Sequence, residues 1–169
     1  ESGKRCVVKT NDSFFFRKFT LLVAIKNTKC IGWFLYEKGG MTKDRLIEFM
    51  DKFIFRKYKK HLIILDNAGS HRNNFVKDAI TNSGNNYLFS IPYTPKTNAI
   101  ENLFNQLKYY LKLNKKVLKF NEIKQEIKKA FIKIKKQHYN NYFLYAYDKD
   151  KLTLPKKSTR KRKDKKYKD

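Results

Sequence analysis

Apolar positions along the chain repeat with two different periods. Residues 19–25 (FTLLVAI) and 31–36 (IGWFLY) are dense in branched and aromatic side chains, as strands require, and the turn residues Asn27, Thr28 and Lys29 between them predict an antiparallel hairpin. Gly39 and Gly40 end it. Beyond Thr42, a suitable cap, Leu46, Ile47, Phe49, Met50, Phe53 and Ile54 recur at spacings of three and four and predict a helix with one apolar face. A short apolar run, Leu62 to Leu65, stops at Asp66 and the turn residues Asn67, Ala68 and Gly69, which is the pattern of a buried strand. Phe75, Val76, Ala79 and Ile80 predict a helix starting near Asn73, broken by residues 83–86. Residues 87–91 predict a further strand closed by Pro92. From Asn98, the positions Ile100, Leu103, Phe104, Leu107, Tyr110 and Leu111 lie on one side of a helix. Asn121 is expected to cap another, with Ile123, Ile127, Phe131 and Ile134 inside and Lys124, Lys128 and Lys135 outside. Residues 139–147 are rich in aromatics and are left without an assigned structure.

A hairpin followed by alternating strands and helices argues for an α/β fold, a mixed sheet with helices on its faces. In such sheets functional groups gather at the carboxyl ends of strands, where Asp66 stands. The chain has 169 residues, of which 41% are hydrophobic, enough for one domain with its own core. No apolar run approaches the roughly 20 residues of a membrane-spanning helix, so no membrane partner is expected. Cys6 and Cys30 are far apart and read as reduced thiols of an intracellular protein.

Charge narrows the field of partners. Lys and Arg number 40 against 15 Asp and Glu, a formal +25. Residues 156–169 hold nine basic and two acidic residues, so this tail carries +7 and the remaining body +18. A polyanion suits such a surface, because neutralising phosphates releases condensed counterions. A bias toward Lys, Asn and Ile codons would produce a similar composition. The tail reads as disordered, serving as a nuclear import signal or as an arm that grips DNA.

Two acids stand out. Asp66 ends an apolar strand, and Glu101 lies in the first turn of the helix beyond a loop bounded by Pro92 and Pro95; 34 residues separate them. Carboxylates are the hard oxygen donors that Mg²⁺ prefers, and paired ions can assist phosphoryl transfer on DNA. Each residue also has a plainer reading. Asn98 to Glu101 has the spacing of a capping box, Asp66 with Asn67 and Gly69 suits an ordinary turn, and His71 suits a helix entry.

The words ILDNAGSH and SIPYTPKTNAIENLFNQLK closely resemble the catalytic domain of the mariner-superfamily DDE transposases and their insertion-sequence relatives, including the 34-residue gap between the second and third acids. The resemblance implies an RNase H-like fold: an antiparallel meander extended by parallel strands, with helices on both faces. It implies that Asp66 and Glu101 are catalytic, metal-binding acids, that Asn67 and His71 shape the site, and that Asn98 caps the Glu101 helix. It also implies two Mg²⁺ or Mn²⁺ ions in the intact enzyme, transposon-end and target DNA as partners, and a homodimer. Lys96, Lys108, Lys112, Lys124 and Lys128 are then expected to contact DNA phosphates. The host compartment would be the nucleus in a eukaryote. Ala99 stands where the family commonly has Pro.

In that family the first acid lies on the first strand of the meander, upstream of the GKR-like loop with which this chain opens, so the meander is expected to lack its first strand. Asp12 sits in a polar turn, TNDS, with no apolar strand leading into it, and is not taken as the substitute. The expected organisation is a partial catalytic domain over 1–112, a basic helical extension over 113–155 and the tail over 156–169. The chain then reads as an amino-terminally truncated, split or decayed transposase fragment without the family's helix-turn-helix segment. Two rival readings are a non-catalytic DNA-binding remnant and an RNase H-like nuclease. The charge itself makes a prediction common to all three: with six or more phosphate contacts, affinity for duplex DNA should fall at least about 10³-fold between roughly 50 and 200 mM salt, measured by fluorescence anisotropy.

Overall fold

The computed structural model describes residues 19–92, 94–112 and 119–147. Strand β1 (Thr20–Lys26) pairs antiparallel with β2 (Lys29–Tyr36), as the hairpin pattern predicts. Helix α1 (Lys43–Met50) is capped by Thr42, whose hydroxyl accepts from the Arg45 N–H, and it continues as a π-helical turn over Asp51–Phe55. Strand β3 (Leu62–Leu65) pairs in parallel with β4 (Asn86–Phe89) across helix α2 (Asn74–Asn82). A short 3₁₀ turn, Pro95–Thr97, leads into α3 (Ala99–Lys112), followed by α4 (Phe120–Lys133) and α5 (Lys136–Tyr147).

Three expectations change. Strand β4 begins at Asn86 and ends at Phe89, two residues before Ile91. The cap of α4 is Lys119, two residues ahead of Asn121, because the Glu122 carboxylate reaches back to the Lys119 N–H at 2.7 Å; this reach-back moves the helix start. The aromatic stretch 139–147 is helical, with Tyr139, Tyr142 and Ala146 buried. The tail lies outside the described residues.

The core has two parts, one on each face of β1. Leu22 and Ala24 pack with Leu46, Phe49, Met50, Val76 and Ile80 of α1 and α2. Leu21, Val23 and Ile25 pack with Leu103, Leu107, Ala130 and Tyr142 of α3, α4 and α5. Neighbouring residues of a strand point to opposite faces, so β1 is apolar on both and lies between two helical layers. Trp33 of β2 stacks on Phe131 of α4 with ring centroids 5.7 Å apart. The Tyr142 hydroxyl donates to Gln106 Oε1, joining α5 to α3.

A buried polar residue joins the entrances of β3 and β4. Asn85 is only 2% exposed. Its Oδ1 accepts from the His61 N–H at 3.0 Å, and its Nδ2 donates to the Tyr58 carbonyl and to Ser83 Oγ, both at 2.9 Å. The two pairs β1–β2 and β3–β4 form separate two-stranded sheets among the described residues. Between them lies a largely apolar cavity of about 1130 Å³.

Two substitutions test this packing. A Cβ at Gly32 would stand 2.4 Å from the Phe53 ring, so Gly32→Ala should destabilise the fold by about 1–3 kcal/mol through overpacking. Asn85→Leu strands the His61 N–H and the Tyr58 carbonyl, and should cost about 1–3 kcal/mol. Urea unfolding of each variant reads the shift in midpoint.

Candidate active site

Asp66 is placed by β3, which runs out of apolar residues at Leu65 and turns. Three local bonds hold the turn. Asp66 Oδ1 accepts from the Ala68 N–H at 2.9 Å, the carboxamide of Asn67 donates to the Ser90 carbonyl just beyond β4, and the His71 N–H closes on the Ala68 carbonyl at 2.9 Å. The side chain of His71 then folds back, bringing Nδ1 to 2.6 Å from Asp66 Oδ1. This ring nitrogen is buried and stands in close contact with the carboxylate. The His71 side chain is 13% exposed and that of Asp66 49%.

Asp66 is therefore held as an anion with one face open. The His71 contact, aided by the Ala68 N–H, lowers its carboxyl below the ordinary carboxylate value, against the opposing effect of burial. Asn67 ties the tip of β3 to the chain leaving β4, so the acid is fixed relative to both strands.

Helix α3 supplies the other acid. Its entrance is buried, with Asn98 7% and Ala99 2% exposed. Asn98 Oδ1 accepts from the Ile100 N–H at 3.4 Å, and the Ala99 N–H lies 3.5 Å from the Tyr147 hydroxyl of α5. Glu101 follows in the first turn and is half-buried. Asp66, His71, Asn98, Ala99 and Ile100 all line the same cavity, so the fold brings the β3 tip and the α3 entrance to one side of the sheet. The 34 intervening residues only span α2, β4 and the proline loop.

The basic residues take different places. Lys96 is exposed on the 3₁₀ turn ahead of α3, Lys108 is exposed on α3, and Lys124 and Lys128 are exposed on α4. Lys108 is seven residues from Glu101, close to two helical turns, and so shares its side of the helix. Lys112 is the last residue of α3, and its side chain lies outside the described residues. Reasoning from sequence missed Tyr147 and the Ala68 N–H. An aromatic-rich run gives no sign of which hydroxyl will meet another helix's first turn, and backbone donors leave no mark on a sequence.

As a metal site the arrangement is partial. Asp66 lines the cavity, and Glu101 does not, although Asn98, Ala99, Ile100 and Phe104 beside it do. Among the described residues no group of three or more His, Cys, Asp or Glu side chains is placed to hold a metal ion.

A family model described as DDE superfamily endonuclease matches residues 1–124. No curated protein matches the chain. The fold is similar to a solved Mos1 transposase paired-end complex with left transposon end, with a TM-score of 0.70, 17% identity, 88% of this chain covered and 46% of that one. It is also similar to the catalytic domain of Mos1 mariner transposase, with a TM-score of 0.66, 17% identity and 79% and 78% of the two chains covered. A structure of Mos1 transposase catalytic domain and Raltegravir with Mg has a TM-score of 0.68 at 16% identity, covering 76% and 69%. The chain spans less than half the length of the first of these. At such identities the likeness shows the fold, and that fold is the expected RNase H-like one.

The His71 contact makes a testable prediction. Asp66 should titrate below the ordinary carboxylate value in the folded chain, and His71→Phe should move it upward, as followed by carboxyl carbon chemical shifts in NMR. A depressed carboxyl adds stability above its unfolded pKa and loses it as pH falls through the folded value. The substituted chain should therefore lose less stability than the original on acidification through that window.

Proposed function

Because this chain belongs to the DDE superfamily endonucleases, we propose that it is the catalytic part of a mariner-type transposase, in which Asp66 and Glu101 serve metal-dependent cleavage and joining of DNA strands. The observation that carries this reading is the convergence of a pre-charged strand-end acid and the buried entrance of the Glu101 helix on one cavity. His71 and the Ala68 N–H keep Asp66 anionic. Asn67 fixes the β3 tip, and Asn98 with Tyr147 holds the first turn of α3. Divalent Mg²⁺ or Mn²⁺, when bound, supplies charge that activates the attacking oxygen and stabilises the leaving one.

Two carboxylates suit one such ion, and a second ion needs a third acid from outside the described residues. Lys96, Lys108, Lys112, Lys124 and Lys128 position the DNA through its phosphates, without reading bases. DNA is the partner this basic body favours, and self-association into a homodimer belongs to the same reading.

A second reading is favoured by the incomplete donor set: a DNA-binding remnant without catalysis. The two separate cleanly. In the enzyme completed with its remaining segments, Glu101→Gln should lower strand cleavage by at least about 10²-fold, the scale of removing one transition-state stabilising group, with DNA affinity unchanged. Nicking of a transposon-end duplex and anisotropy on the same duplex measure both. Cleavage retained by the Gln variant would count against the assignment. Affinity of the chain that is unaffected by Mg²⁺ and by Asp66→Asn, in a completed enzyme that never cuts, would favour the remnant.

A further inference from the structure

The fold sorts charge along the strand axis. Lys26 Nζ lies 5.6 Å above the Tyr58 ring, and that ring is 5.3 Å from His61, so the β1–β2 turn stands beside the start of β3. Cys30, which follows Lys29, packs against the core that holds Ile134 and Tyr139, so the α4–α5 junction reaches the same turn. Three segments therefore meet at one end of the domain: the turn 26–29, the loop 56–61 and the junction 133–138. None of them contains an acid. Lys29, Lys57, Lys59, Lys60, Lys135 and Lys136 are all exposed there.

Acids gather at the opposite end. Asp66 follows the last residue of β3, the strand that starts at the lysine-rich end. Glu37 follows Tyr36, which pairs with Thr20 at the start of β1. Helix α3 opens toward Glu101 where its Ala99 N–H meets Tyr147, at the far end of α5 from Tyr139. From His61 to Asp66 the two ends stand about 17 Å apart, at about 3.4 Å per residue.

The lysine-rich end is held by backbone and by neutral partners. Lys59 Nζ donates to the Ser83 carbonyl at 3.0 Å. Lys60 has a φ of 57°, left-handed backbone that a side chain rarely adopts, and its N–H is tied to the Gly84 carbonyl at 2.8 Å. Asn85 fixes the same loop through the His61 N–H and the Tyr58 carbonyl. Arg56 pairs with Asp51 at 2.7 Å and is set aside. Grouped like charges repel one another and lower stability, so a rigid loop that keeps lysines together suits a partner that neutralises them.

We propose that this end is a second DNA-binding surface, gripping the phosphates of a duplex stretch away from the one at Asp66. Lysines are point charges rather than planar forks. Spread over three segments, they match the regular charge of a nucleic-acid backbone better than a single small anion, and they read no bases. The choice of DNA rests on the proposed function; the place of the surface rests on the fold alone.

The test compares two double variants of the full 169-residue chain, each losing the same charge. Lys57→Gln with Lys136→Gln removes exposed lysines from the loop and the junction, and Lys38→Gln with Lys52→Gln removes exposed lysines from elsewhere. Anisotropy reads affinity for a duplex from about 50 to 200 mM salt, without added metal. The first variant should flatten the slope of log affinity against log salt by about 1.8, two contacts at about 0.9 each, and the second by less than about half of that. On the unaltered chain the duplex should also slow acetylation of Lys57, Lys60 and Lys136 severalfold and leave that of Lys38 unchanged, read by mass spectrometry. Should either variant fail to fold, this acetylation pattern carries the test. Equal slopes for the two variants, or acetylation at the three lysines unaltered by the duplex, would overturn the placement and leave DNA binding itself intact. A chain with no affinity for the duplex would overturn this surface together with the DNA reading behind it.

Discussion

Burial of both faces of β1 is the constraint on which the other features rest. Leu22 and Ala24 point to the layer of α1 and α2, and Leu21, Val23 and Ile25 to the layer of α3, α4 and α5. A strand so placed cannot shift register by one residue without exchanging its two sets of side chains between differently shaped layers. With β1 fixed, the helices fall on known sides. Helix α3 on one layer and β3 beside the other then meet at the end of the sheet where β3 runs out.

That meeting gives the two acids their separate characters. Asp66 stands on a turn held by its own backbone, by His71 and by Asn67, and its charge is secured locally before any partner arrives. Glu101 depends on longer-range packing. Its helix is placed by the buried Ala99, by the Asn98 cap and by α5, which links to α3 through Tyr142 and Gln106 and through Tyr147 near the Ala99 N–H. Helices α4 and α5 are thus part of the support of the site, sharing a core with β1 and α3.

A basic surface and an acidic centre serve the same end. Lysines on α3, on α4 and on the turn before α3 attract a polyanion, while a carboxylate at the sheet end repels phosphate unless a cation lies between them. These two patterns are the physical ground of the proposal that a cation lies between the acid and the phosphate.

Much of this was legible in the chain itself. Period-two and period-three-to-four repeats marked four strands and four of the five α-helices among the described residues, because burial on a strand face or a helix stripe demands them. The end of the apolar run at Asp66 was legible as a strand tip, and residues 98–101 as a helix entrance, since each carries its own local turn chemistry. The aromatic stretch of α5 was not legible, because Tyr and Phe serve strands and helices alike and only contact with α3 decides which. Nor was the cap of α4, set by a Glu122 carboxylate reaching back to the Lys119 N–H rather than by the Asn121 side chain. Sequence determined the elements through their periodicity; tertiary structure alone decided that the β3 tip carrying Asp66 and the entrance of the Glu101 helix meet at one cavity, because that relation depends on packing between residues far apart in the chain.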